Sequence, residues 1–95
     1  MADLDAHIYA PARLKLMTTL TAVSEAEFST LRDLLQVSDS VLSKHVAALA
    51  AVGYLDSHKG VHLGRRTTWI SLTATGRSAL STHVQVLREL IASVD

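Results

Sequence analysis

A mainly α-helical domain that carries one small β-hairpin is the fold class that this sequence predicts. Apolar residues recur at helical spacing in the first half and near the C-terminus, but the period changes to two between Tyr54 and Leu72. Aromatic residues make up only 4% of the chain, a composition that suits packed helices better than a β-sandwich. A length of 95 residues leaves room for one hydrophobic core, so we predict a single domain over residues 1–95.

The first two helices are short. Pro11 fits the first position of a helix, and apolar residues then follow at helical spacing up to about Val23. Ser29 is a candidate N-cap for a second helix from Thr30 to Gln36. Phe28, just before it, is expected to form a one-residue bridge in a short strand.

The third helix is predicted from Asp39 to Val52. Ser38 is its candidate N-cap, and Gly53 supplies the left-handed position after its end. Only Val37 and Ser38 separate it from the second helix, which indicates a tight helix-turn-helix. One stripe is expected to be buried, with His45 as a packed, hydrogen-bonded residue at the core edge; it contains Leu42, His45, Val46 and Leu49.

A basic hairpin and a long helix complete the chain. Residues 59–66 include two glycines that favour tight turning, and they place Arg65 and Arg66 near the hairpin tip. Thr73 then caps a last helix of roughly twenty residues. Its apolar residues alternate spacings of four and three, a heptad seam that predicts a homodimer through about residues 73–94: Leu80, Val84, Leu87, Ile91 and Val94.

Charge is distributed unevenly along a chain whose formal net charge is zero. Residues 44–77 carry a single acidic side chain, Asp56, whereas the segments on either side carry more acidic than basic residues. The basic side chains of this middle segment are Lys44, Lys59, Arg65, Arg66 and Arg77. A positive region on an otherwise balanced chain is typical of a protein with one face turned towards phosphates.

The element order is that of a winged helix-turn-helix, in which the hairpin forms the wing. The sequence VSDSVLSKHV from Val37, the exit Gly53-Tyr54-Leu55 and the stretch RTTWISLTATGR from Arg66 to Arg77 resemble compact winged-helix regulators related to the MarR and ArsR families. The resemblance covers about residues 10–90. It implies a homodimer held by terminal helices, with each third helix in a DNA major groove and each wing along a minor groove.

Candidate DNA-binding residues lie off the buried stripe of the third helix and on the hairpin. Hydroxyl groups and a lysine can contact phosphates or bases, and an apolar side chain can meet a thymine methyl group. Long cations at a wing tip suit the electronegative minor groove. Ser38 is expected to act first as a cap and second as a phosphate contact. The candidates are Ser38, Ser40, Val41, Ser43, Lys44, Lys59, Arg65 and Arg66.

Other function classes find little support. The chain has no cysteine, and His58 and His62 on an extended strand would lie about 13 Å apart, so we expect no metal site and no cofactor. Motifs of hydrolases and phosphate-binding enzymes are missing, so we expect no enzyme. The acidic N-terminus lacks the pattern of a signal peptide, and no apolar run is long enough for a membrane helix, which favours a cytoplasmic protein.

Two further hypotheses stay open. Winged helices also serve as protein-docking modules without DNA binding, but a docking module has no need of a basic wing tip. A small-molecule effector could bind between the core and the last helix, near Trp69 or Tyr9.

Overall fold

The computed structural model describes residues 3–94. Their order of elements is the predicted winged helix-turn-helix, with a short extra strand before the second helix. The helices are α1 (Pro11–Leu20), α2 (Phe28–Leu35), α3 (Asp39–Ala51) and α4 (Ala74–Ala92), and the strands are β1 (Ala26–Glu27), β2 (Leu55–His62) and β3 (Arg65–Leu72).

The three strands form an antiparallel sheet in the order β1-β3-β2. Strands β2 and β3 make the wing, which pairs from Leu55 opposite Leu72 out to His62 opposite Arg65. A two-residue turn joins them, with φ of 52° at Leu63 and 77° at Gly64. Two successive positive φ angles are the mark of a type I′ turn, whose twist matches that of the paired strands.

Gly60 does not contribute to this turn, contrary to the prediction from sequence. It lies within β2, opposite Thr67. A Cβ atom at Gly60 would come within 2.8 Å of the Trp69 ring, so the glycine allows the indole to lie close against the strand.

The boundaries of α1 and α2 differ from the prediction. Helix α1 ends at Leu20 rather than near Val23. Helix α2 begins at Phe28, so Phe28 is not a strand bridge and Ser29 is not an N-cap. The physical reason is the pairing of β1 with β3, which holds Glu27 extended at φ −68° and ψ 143° and leaves the next residue to start the helix.

The predicted caps of α3 and α4 are confirmed. The Ser38 hydroxyl accepts a hydrogen bond from the Val41 N–H at 3.2 Å, and the Thr73 hydroxyl accepts one from the Gly76 N–H at 2.9 Å. Thr73 also donates to the Gly53 carbonyl at 2.6 Å, and Gly53 has the predicted positive φ of 79°. Helix α3 ends at Ala51, one residue before the prediction.

Buried apolar residues from the helices and the sheet pack into one cluster, and Leu80 belongs to it at 6% exposure. Leu80 therefore packs inside the protomer, which corrects its assignment to a dimer face. No helix within residues 3–94 is long and apolar enough to cross a membrane. The cluster consists of Ile8, Leu16, Met17, Leu20, Leu31, Leu42, Val46, Leu49, Leu55, Ile70 and Leu80.

The segment before α1 is held against the rest of the molecule by Asp5. Its N–H donates to the buried His83 side chain at Nδ1 (2.9 Å), and its carboxylate accepts from the Tyr54 hydroxyl (2.5 Å) and the His7 N–H (2.8 Å). Partial burial acts to raise the pKa of Asp5, but these hydrogen bonds and the nearby histidines outweigh it and lower that pKa below its ordinary value. No local pattern in the sequence indicates this set of contacts, which we call the Asp5 latch.

His45 joins α3 to α1. The Arg13 Nε–H donates to His45 Nδ1 at 3.1 Å, which agrees with the predicted packed and hydrogen-bonded histidine. Burial lowers the pKa of His45, and the positive charge of Arg13 lowers it further. The imidazole therefore accepts the hydrogen bond in its neutral form.

This arrangement predicts a stability loss in mild acid that depends on His45. Because the folded-state pKa lies below the unfolded value near 6.5, the unfolded chain binds more protons, and the free energy of unfolding falls as pH drops below that value, by at most about 1.4 kcal/mol per pH unit. Urea denaturation from pH 8 to 5 measures this slope. In His45→Asn, which keeps an acceptor but does not titrate, the loss should be smaller. Parallel curves for the two proteins would contradict the assignment.

Candidate nucleic-acid interface

The turn between α2 and α3 is short and is braced by ion pairs. Gln36 takes a left-handed conformation with φ of 55°, which ends α2. Arg32 Nη1 lies 3.0 Å from Asp39 Oδ1, and its Nε lies 3.0 Å from Asp33 Oδ1. Hydrogen bonds to Asp39 and then to Asp33 raise the pKa of Arg32. Arg32, which the sequence analysis did not single out, thus ties the first turn of α3 to α2.

Helix α3 buries one side and exposes the other. At about 100° per residue, Ser40 and Lys44 lie opposite the buried side, and both are exposed. Val41, at the margin, is 39% exposed, as predicted for a residue available to a partner. Ser43 is exposed on the side of α3 that faces the sheet. The buried residues of the helix are Leu42, Val46 and Leu49.

A groove of about 420 Å³ separates α3 from the wing, and it brings Ser43 and Lys59 to one place. Lys59 Nζ donates to Thr68 Oγ1 across the strand pair at 2.9 Å. Ser57 and Thr68 also line the groove but were not among the candidates, because only the strand register reveals that they face α3. The complete lining is Phe28, Ser43, Val46, Ala47, Ala50, Ser57, Lys59, Thr68 and Ile70.

The two arginines stand next to the turn, as the sequence predicted. Arg65 and Arg66 are the first residues of β3, and both are exposed. Successive side chains of a strand point to opposite faces. Arg66, opposite Val61, therefore shares the face of Lys59, whereas Arg65 lies on the other face. The wing presents a cation on each side of its tip.

The outer face of the wing carries two histidines that pair with different carboxylates. His58 Nε2 lies 3.5 Å from Glu25, and His62 Nε2 lies 3.7 Å from Glu27. The rings of His62 and Trp69 meet edge to face at 5.5 Å between centroids. In the part of the chain that the structure describes, no cluster of three or more potential metal ligands occurs.

The predicted effector position near Trp69 or Tyr9 does not coincide with the cavity beside α4. Trp69 packs on the wing, and Tyr9 is 67% exposed. A cavity of about 270 Å³ instead lies between the end of α1 and α4; its lining is Thr21, Arg77, Leu80, Ser81, Val84, Gln85 and Arg88.

The exposed apolar surface of α4 lies near its C-terminal end. Ile91 is 71% exposed, Val94 just beyond the helix is 75% exposed, and Leu90 is 50% exposed. Val84 and Leu87 are half-buried. Side chains of this size rarely cluster in water without a partner.

Comparison with known proteins places the chain among winged helices. Residues 12–91 match the family model described as a winged helix DNA-binding domain. An uncharacterized protein of Methanocaldococcus jannaschii is 28% identical over 83 residues, which are 87% of this chain and 90% of that protein.

Solved structures of other proteins share the fold. A transcriptional regulator homologue from Pyrococcus horikoshii OT3 superposes with a TM-score of 0.87 at 25% identity, covering 94% of this chain and 88% of that chain. A mutant MarR from E. coli, solved with operator DNA, gives 0.70 at 17% identity over 80% of this chain and 54% of that chain. On the match over residues 12–91, this chain belongs to the family of winged-helix DNA-binding domains.

Proposed function

We propose that this protein is a dimeric transcriptional regulator that binds a specific double-stranded DNA site, with α3 in the major groove and the wing on the minor groove. The observation that carries the proposal is the juxtaposition of the exposed side of α3 with the basic hairpin, where Ser43 and Lys59 line one groove. A duplex lying across both elements would meet hydroxyl groups and cations together.

On α3, each exposed side chain has a part that fits its chemistry. Ser40 and Ser43 can donate to phosphates or to base edges, and Lys44 can contact a phosphate or a guanine. Val41 offers methyl groups to a thymine methyl. Ser38 uses its hydroxyl as the helix cap, so a phosphate at this position would bind mainly to the free N–H groups of the first turn.

On the wing, the cations provide mostly sequence-independent attraction. Arg65 and Arg66 on opposite faces of the tip suit the two walls of a minor groove. Lys59, nearer α3, suits the phosphates between the two grooves.

A homodimer would supply two such units related by two-fold symmetry. The exposed apolar end of α4 supports this part of the proposal, since a self-complementary apolar patch is what a two-fold contact requires. The MarR structure with operator DNA is a further support for pairing this fold with a duplex. Residues of the contact would be Val84, Leu87, Leu90, Ile91 and Val94.

We also propose that this protein acts in the cytoplasm. A regulator of transcription acts where the genome is, which in a bacterial-type cell is the cytoplasm. If a small-molecule effector exists, the cavity between α1 and α4 suits it best, because it adjoins the helix on which the dimer would depend.

Selection from a pool of random duplexes tests the function directly. The expected result is enrichment of one site with two-fold symmetry, because a symmetric dimer reads two half-sites. Failure to enrich any duplex at low salt would favour the alternative function, a protein-docking module.

Replacing Arg65 and Arg66 with Ala should weaken binding to the selected duplex and to a scrambled one by similar factors. The loss of four cations per dimer should reduce the slope of log affinity against log salt by roughly three to four units. Fluorescence anisotropy at several salt concentrations measures both. The control is Lys15→Ala, which removes an exposed cation on α1, away from α3, the wing and α4. An equal loss of slope per cation in the control would show that the wing does not contact DNA.

Val41→Ser should reduce sequence preference by about 1 kcal/mol at one thymine per half-site, because the methyl contact is lost. The melting temperature should change little, since Val41 is exposed. Val23→Ser, at a similarly exposed valine (43%) outside α3 and the wing, is the matched control. A large drop in melting temperature with unchanged preference would show that the DNA-binding side of α3 is wrongly assigned.

Ile91→Glu should convert a dimer into a monomer at micromolar concentrations, because a charge would be buried against its symmetry mate. Light scattering gives the mass. Leu34→Glu, at a leucine 53% exposed on α2, should leave the mass unchanged. A wild-type protein that is monomeric at tens of micromolar would contradict the dimer.

A further inference from the structure

The turn at the tip of the wing holds a leucine in an unfavourable position. Leu63 has φ of 52° and is 87% exposed, more than any other exposed large apolar side chain in residues 3–94. Its neighbour Gly64, at φ 77°, has no side chain to strain.

Leu63 disfavours the folded hairpin in two ways. The left-handed region brings a Cβ atom close to the following carbonyl oxygen, and a type I′ turn normally has Asn or Asp before Gly. The exposed isobutyl group also gains nothing from burial within the protomer. An asparagine at this position would suit the fold better, so the leucine points to a contact outside the protomer.

The surroundings of Leu63 identify the kind of partner. All six residues from 61 to 66 are exposed, so the Leu63 side chain is accessible to a partner. Arg65 and Arg66 follow it directly, and Val61 is also 67% exposed. An apolar point flanked by cations matches a duplex groove, which has phosphates along both walls and offers apolar base faces wherever a base step opens. A docking protein of apolar character would leave both cations without a counterpart.

The hairpin that carries Leu63 is paired along its full length below the turn. Strand pairing continues to His62 opposite Arg65, so only the two turn residues lie beyond the ladder. Within the wing, the Trp69 ring on β3 packs against Gly60 and His62 on β2 and so adds side-chain contacts to the strand pairing.

We propose that Leu63 is a wedge that enters the minor groove and inserts at a base step, partly unstacking it and kinking the duplex. This inference rests on the proposed DNA-binding function. A leucine forms no hydrogen bonds, so it would select a site by the ease of unstacking, favouring flexible pyrimidine–purine steps such as TA or CA over stiff A-tracts.

The experiment uses the full-length protein and the duplex selected for it. Copies of the duplex carry 2-aminopurine, whose fluorescence rises on unstacking, at successive positions under the wing. A second set carries dyes at both ends to report bending by energy transfer. The variants are Leu63→Asn, which removes the wedge and suits the turn, Leu63→Met, which keeps an apolar side chain, and Val61→Thr, a matched exposed apolar residue on the same hairpin.

Wild type, Leu63→Met and Val61→Thr are expected to raise the fluorescence at one step in each half-site and to bend the duplex. Leu63→Asn should lose both signals and bind roughly tenfold more weakly, while its melting temperature rises by roughly 2 to 6 °C because the turn is relieved. This combination of a firmer fold with weaker binding separates the wedge from damage to the hairpin.

Three results would overturn the wedge. Tight binding by the wild type with no unstacked step would reject it and leave the DNA-binding function intact. An equal loss of signal in Val61→Thr and Leu63→Asn would assign the effect to the hairpin as a whole. Failure of the wild type to bind any duplex would reject the proposed function and the wedge together.

Discussion

The one-sided burial of α3 is the constraint on which the rest of the interface depends. Leu42 and Leu49 are fully buried and fix the rotation of the helix, and this rotation decides which side chains face outwards. Polar contacts then hold the first turn and the middle of the helix in place. Arg32 binds the first turn, Ser38 caps it, and Arg13 holds His45 from the side of α1. Short side chains such as serine reach a partner only if the backbone is correctly placed, because they are too short to compensate for a misplaced helix. A helix whose rotation is fixed meets this condition.

A second group of contacts joins the end of α3 to the start of α4. The Thr73 N–H donates to the Tyr54 carbonyl at 3.0 Å, and Gly76 packs so tightly against the Tyr54 backbone that no larger residue would fit. The Tyr54 hydroxyl in turn holds Asp5, whose N–H reaches His83 on α4. The C-terminal end of α3, the N-terminal segment and α4 therefore share one small set of contacts. A shift of α4 would displace Gly53 and Tyr54, which follow the C-terminal end of α3.

Local signals in the sequence predicted the parts of the fold that local interactions determine. Ser38 and Thr73 act within their own helix turns, and Gly53 follows from the end of α3, so each could be assigned without tertiary information. The start of α2 could not, because it depends on β1 pairing with a strand more than forty positions further along the chain.

The candidate site divides in the same way. The sequence pattern correctly predicted that Val41 is exposed and that the arginines lie beside the turn. That Ser57 and Thr68 face α3 could be recognised only from the register of β2 on β3. That Leu80 lies in the core could be recognised only from the residues that pack against α4. The Asp5 latch joins Asp5 to Tyr54, which is 49 positions further along the chain, and to His83, which is 78 positions further along. A heptad pattern alone cannot divide an apolar helix between its own core and a partner.

The close packing of Trp69 against Gly60 has a practical consequence. This is the single tryptophan of the chain, and it lies on the wing, edge to face with His62 and on the opposite face of the sheet from Lys59 and Arg66. Indole emission depends on polarity and on nearby groups, so the tryptophan emission of the protein, excited at wavelengths that the two tyrosines do not absorb, comes from the wing alone. Any event that bends, releases or covers the hairpin can therefore be followed by the emission of Trp69. No dye has to be attached to the surface that would meet a partner.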